Sequence, residues 1–154
     1  MTIRVLLADD HALVRQGTRR ILEEYEDMSV VGEAGDGEEA LELIKSLRPD
    51  VAIIDIQMPK VSGVEVARGA SEISPNTRLL ILSAHDNDEY IFALMEAGVS
   101  GYLVKDVKRS ELVTAIRRVA RGEVVVCGNL LTNPRLAEGL LKRFQELVEK
   151  KEVP

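Results

Sequence analysis

The sequence predicts an α/β domain, a doubly wound five-stranded parallel sheet with helices on both faces, followed by one C-terminal helix. Three observations carry that expectation. Short apolar, β-branched runs recur without in/out alternation, as in strands covered on both sides. Segments with apolar residues at three- and four-residue spacing lie between them. Glycine and proline mark the joins, at Gly35, Gly37, Pro49, Pro59, Gly63, Pro75, Gly98 and Gly101. Alternating strands and helices imply a parallel sheet, whose crossovers place helices on both faces.

Taken in order, the first strand is Ile3–Ala8, and the helix after it presents Val14, Gly17, Thr18, Ile21, Leu22 and Tyr25 on one face. The second strand is Ser29–Gly32, followed by a helix with Ala40, Leu43, Ile44 and Leu47. The third is Val51–Ile54, followed by a weaker stripe of Val66, Ala70 and Ile73. The fourth is Leu79–Leu82, followed by Ile91, Leu94 and Met95. The fifth is Tyr102–Val104, followed by Leu112, Ala115, Ile116 and Val119. After Gly122 the pattern changes. Glu123–Gly128 reads as a short β-like piece, and Asn133-Pro134 opens a helix to about Lys150 with Ala137, Leu140, Leu141, Phe144, Leu147 and Val148 on its apolar face.

The 154 residues suffice for one domain with a core plus an appendage. An apolar fraction of 45% and a charged fraction of 30% are those of a globular chain. The net charge of −6 argues against nucleic-acid binding by this chain as a whole. The single Cys127 excludes an internal disulfide and suits a reducing compartment. No signal-peptide core precedes Asp9 and no apolar run is long enough to span a bilayer, so the expectation is a cytoplasmic chain without a membrane segment.

Ligands of open parallel sheets bind beyond the carboxyl ends of the strands. There the sequence places Asp9 and Asp10 after the first strand, Asp55 after the third, Ser83 after the fourth and Lys105 after the fifth. Each alone is explained as a cap, a turn or a solvated charge. Their joint occurrence at one rim is not. Two ionised carboxylates about 4 Å apart repel by roughly 4 kcal/mol at an effective dielectric near 20. Three clustered carboxylates therefore call for a cation. Oxygen donors without clustered His or Cys favour Mg²⁺ or Mn²⁺ over Zn²⁺. A cation, an ammonium and a hydroxyl around one carboxylate are the parts that stabilise a transferring phosphoryl group, and that carboxylate can be the nucleophile.

Two other patterns are weaker. Gly35-Asp36-Gly37-Glu38-Glu39-Ala40 matches a loose dinucleotide fingerprint, but its acids sit where a pyrophosphate would lie, so a turn and helix start is expected. His11 and His85 make a poor zinc site without further partners, and His11 is expected in the first turn of the first helix.

The segments VLLADDHALVRQG, VAIIDIQMPKVSG, LLILSAH and GYLVKD resemble the receiver domain of bacterial two-component response regulators over about residues 1–122. The DDH start and GYLVKD most resemble the NarL/FixJ-like subfamily, whose members usually carry a C-terminal LuxR-type helix-turn-helix. The resemblance implies the flavodoxin-like strand order 2-1-3-4-5, for which this family is itself a standing example. It implies Asp55 as phosphoryl acceptor, with Mg²⁺ (or Mn²⁺) held by Asp10, Asp9, Asp55 and the backbone carbonyl of Gln57. Lys105 would pair with a phosphoryl oxygen and Ser83 would hydrogen-bond another. Tyr102 matches the switch aromatic, and Ala84 is small enough to leave access to Asp55. Gln57 and His85 occupy positions that tune the lifetime of the phosphorylated state. Asp106 stands where many relatives have proline.

The implied partner is a sensor histidine kinase. A homodimer is expected through the face of the fourth helix, fifth strand and fifth helix, or through the C-terminal helix. Residues 123–154 are expected to be a linker, too short to hold a helix-turn-helix as well. DNA would then be a partner of a longer protein and not of this fragment. A small-molecule phosphatase or phosphotransferase using an aspartyl phosphate is the competing class. It needs a second acid two residues after the nucleophile, and Gln57 stands there. A receiver-like scaffold without phosphorylation is the third, disfavoured because the reactive positions are filled.

Overall fold

The computed structural model of the chain describes residues 2–56, 58, 60–83, 93–94, 96–105, 107–126 and 142. The elements are β1 (Ile3–Ala8), α1 (Ala12–Glu23), β2 (Met28–Ala34), α2 (Gly37–Leu47), β3 (Val51–Asp55), α3 (Gly63–Ile73), β4 (Arg78–Ser83), β5 (Gly101–Val104), α4 (Arg109–Ala120) and β6 (Val125–Val126). Helix α4 is the fifth helix of the sequence pattern. Of the fourth, Ala93, Leu94 and Glu96 are helical, whereas Ile91 and Met95 lie outside the described residues. The C-terminal helix expected over about 134–150 also lies outside them, apart from Lys142.

All strands run parallel, in the order β2-β1-β3-β4-β5-β6. The five-strand order 2-1-3-4-5 is thus observed, and the two-residue β6 extends it beyond β5. The β6 strand arises inside the piece read as β-like. The Val125 N–H donates to the Ser100 carbonyl at 3.0 Å.

The sheet separates two cores, which explains the missing alternation. Along β1, Leu6 and Ala8 face one layer with Ala40, Ile44, Val66 and Ala70 of α2 and α3. Val5 and Leu7 face the other, with Leu22 of α1 and Leu112, Ile116 and Val119 of α4. Each fully buried Leu or Ile contributes roughly 1.5–3 kcal/mol.

The helix ends follow local chemistry. The Asp36 carboxylate caps α2 by accepting from the Glu39 N–H at 2.8 Å. The glycine-containing loop is therefore a helix start, as expected. Ser62 caps α3 in the same way, at 3.2 Å. Gly37 packs where a Cβ would meet the Val61 carbonyl oxygen at 2.2 Å, so only glycine fits there. The expected face of α1 is buried only in part. Leu22 is buried, Thr18 and Ile21 are half-buried, and Val14 and Gly17 are exposed. Ala12, Leu13 and Val14 at the start of α1 are all exposed, so its apolar face is covered only further along the helix.

Candidate functional site

Strand β1 hands the chain to Asp9, whose N–H donates to the Ala34 carbonyl at 3.0 Å and so continues the ladder past the strand end. The Asp9 carboxylate is buried, and its Oδ1 accepts the His11 N–H at 2.8 Å. An aspartate binding the amide two residues on is a turn former. Here it swings the chain from β1 into α1 and leaves Asp10 at the rim.

Asp55 ends β3, opposite Leu82 of β4, and is 3% exposed. Lys105 follows β5, where its N–H donates to the Ser83 carbonyl at 2.8 Å. Its Nζ lies 3.0 Å from Asp55 Oδ2 and 3.8 Å from Asp9 Oδ2. A buried carboxylate needs a cation of this kind, because burial without a partner is costly. Ser83 ends β4 and is buried. Tyr102 is buried in β5, in the core layer of α2 and α3. The register places Ala8 beside Ile54, Asp55 beside Leu82 and Ser83 beside Val104, so these residues share one rim. Gln57, Ala84, His85 and Asp106 lie outside the described residues.

His11, which the sequence places in the first turn of α1, is instead its N-cap residue. Its Nδ1 lies 3.0 Å from Asp10 Oδ1 and 3.3 Å from Asp9 Oδ1. The adjacency of two aspartates and a histidine is the sequence signal for this contact. Asp9, Asp10, His11 and Asp55 each offer one donor atom, all within 4.8 Å of one another. That spacing suits a single divalent cation. Three hard carboxylate donors match Mg²⁺ or Mn²⁺ in kind.

Sequence reasoning missed a second network. Arg15 of α1 donates from Nη1 to the Asp9 main-chain oxygen and from Nε to Glu33 Oε1, the latter at 3.0 Å. Arg19 donates from Nη1 to Glu33 Oε2 and from Nε to Glu23 Oε1. Hydrogen bonding by Arg19, and then by Arg15, holds the Glu33 carboxyl below its ordinary range. A charged residue near the end of an otherwise uncharged strand was the available signal.

Comparison with known proteins gives one consistent picture. A family model described as the response regulator receiver domain matches residues 5–117. The chain is 48% identical over 123 residues to an uncharacterized transcriptional regulatory protein, YxjL, of Bacillus subtilis (strain 168), covering 80% of this chain and 56% of that protein. It is 37% identical over 150 residues to the transcriptional regulatory protein DegU of Brevibacillus brevis, covering 97% and 61%. Among solved structures, a two-component response regulator of the LuxR family from Aurantimonas sp. SI85-9A1 superposes with a TM-score of 0.83 at 33% identity, covering 92% of this chain and 99% of that one.

Proposed function

The chain belongs to the response regulator receiver domain family, and from that membership we propose that it is a phosphorylation-controlled switch that accepts a phosphoryl group on Asp55. Receiver domains of two-component response regulators bind Mg²⁺ at an acidic pocket and interact with histidine kinases. In this chain Asp9, Asp10, Asp55 and the backbone carbonyl of Gln57 would hold Mg²⁺, with Mn²⁺ able to substitute. Bound there, the ion supplies positive charge to the phosphoryl oxygens.

The rest falls to the side chains. An Asp55 oxygen forms the new bond to phosphorus. The phosphorus–nitrogen bond of the kinase phosphohistidine breaks, and its electron pair stays on the imidazole, which takes up a proton. Lys105, already 3.0 Å from Asp55 Oδ2, offsets charge on one phosphoryl oxygen. The Ser83 hydroxyl donates to another, and Tyr102 follows the segment after β4 as Ser83 engages. In slow self-dephosphorylation water attacks phosphorus and Asp55 leaves as carboxylate, at a rate tuned by Gln57 and His85. The chemistry is confined to the chain's own phosphorylation state, so the domain is a signalling module and not an enzyme on other substrates.

The observation that carries this is the buried Asp55 carboxylate, on the Lys105 ammonium and within one cation's reach of Asp9 and Asp10. Intact mass after incubation with Mg²⁺ and a small acyl phosphate tests it. Wild type gains one phosphoryl group and Asp55→Asn gains none. No gain in wild type leaves a receiver-like scaffold, and gain in both moves the acceptor elsewhere.

The chain spans 56% of YxjL and 61% of DegU, both transcriptional regulatory proteins by name. The proposal extends accordingly to transcriptional output through DNA in a longer, cytoplasmic protein. Residues 1–122 would be the switch, and 123–154 the linker with its amphipathic helix. A homodimer through that helix, or through the face of β5 and its flanking helices, would carry the output. Solution mass with and without a phosphoryl mimic checks this. The mimic is expected to raise the mass to that of a dimer, and a monomer in both states excludes dimerisation as the output.

A further inference from the structure

A small cavity lies against the acidic pocket, on the α1 side of the sheet. It holds about 10 Å³, room for roughly one water molecule. Asp9 and Asp55 bound it at the rim, and Arg15 and Thr18 of α1 bound it from the side. Arg15 is thus a second cation beside these carboxylates, after Lys105. Its guanidinium is engaged with the Asp9 main-chain oxygen and with Glu33. Glu33 stands on β2 opposite Leu7, beside the Ala34 carbonyl that receives the Asp9 N–H. Arg19 grips its other carboxylate oxygen and fixes its orientation.

We propose that Glu33 is a positioning residue for the cation pocket, holding the Arg15 guanidinium on the Asp9 main chain and out of the space between the Asp9 and Asp55 carboxylates. A guanidinium pairs with carboxylates through two parallel hydrogen bonds and keeps its charge at any working pH. Released from Glu33, Arg15 still borders the cavity that Asp9 and Asp55 also line, and its guanidinium can turn toward their carboxylates. It then competes with a divalent cation for the same oxygens. This rests on the proposal that the pocket takes Mg²⁺.

The test is the Mg²⁺ dissociation constant of the full chain, measured by titration calorimetry at constant ionic strength and independent of phosphoryl transfer. Glu33→Ala is expected to weaken Mg²⁺ binding about tenfold, and adding Arg15→Ala to restore it to within about twofold of wild type. That rescue separates competition from a merely structural role, under which the double variant binds no better than the single one. Glu33→Gln keeps a neutral acceptor and falls between, which preserves the test if Glu33→Ala does not fold. Arg19→Ala leaves the Arg15–Glu33 pair in place and shifts binding less than Glu33→Ala. An unchanged constant in both Glu33 variants, or no recovery in the double variant, overturns the role of Glu33 alone. A wild type that binds no Mg²⁺ overturns the pocket's function as well.

Discussion

Asp55 is the residue at which attraction and repulsion meet most closely. Lys105 approaches it at 3.0 Å, while Asp9 and Asp10 crowd the same few ångströms. One ammonium does not neutralise three carboxylates. In the absence of divalent cations, Asp55→Asn is expected to stabilise the fold by about 1 kcal/mol through relieved repulsion. Lys105 keeps Asp9 at 3.8 Å as a remaining partner. For a chain of this size that is a rise of about 2–4 °C in Tm. Mg²⁺ should raise the Tm of wild type and raise that of Asp55→Asn much less. Thermal denaturation with and without Mg²⁺ decides it, and identical wild-type midpoints count against a cation in the pocket. Asp9, Ser83 and Lys105 could be placed at one rim from the sequence because each follows directly on an apolar run, and Asp10 because it adjoins Asp9. The Arg15–Glu33 pair could not, because it depends on how α1 is rotated over β2, which the spacing of apolar residues does not set.

At the scale of elements, α4 is tied to the connection between α1 and β2. Arg117 donates from Nε and Nη2 to the two Asp27 oxygens at 2.8 and 3.1 Å, and its guanidinium lies 5.4 Å from the centre of the Tyr25 ring. The Arg117 hydrogen bonds hold the Asp27 carboxyl below the ordinary range. A carboxyl depressed on folding contributes stability above its unfolded value and loses it as pH falls through the folded one. Arg117→Gln should therefore lower Tm at neutral pH, and the gap from wild type should narrow as pH drops below about 4. A gap that stays constant from neutral to acidic pH would show that the pair is decoupled from folding. The strand and helix order was readable because burial on both faces leaves unbroken apolar runs. The exposure of Val14 was not, since periodicity reports a helical face and not how far along the helix the core extends. The joining of β6 to the sheet was equally hidden, because two residues carry no period.

Across the whole molecule, every reactive side chain described lies at the carboxyl end of a parallel sheet, and the hydrophobic mass lies behind it. No helix among the described residues is long and apolar enough to cross a membrane. The sheet that divides the hydrophobic mass has a consequence for engineering. Its two sides are separately editable. Ile44 on the α2 side and Ile116 on the α4 side belong to different buried clusters. Each Ile→Val truncation should cost about 0.5–1.5 kcal/mol. The double variant measured by urea denaturation should match the sum of the two within about 0.5 kcal/mol. Larger coupling would mean that a deformation on one side is transmitted through the strands. If the costs add, a library could repack one side while the other is held as an untouched internal reference.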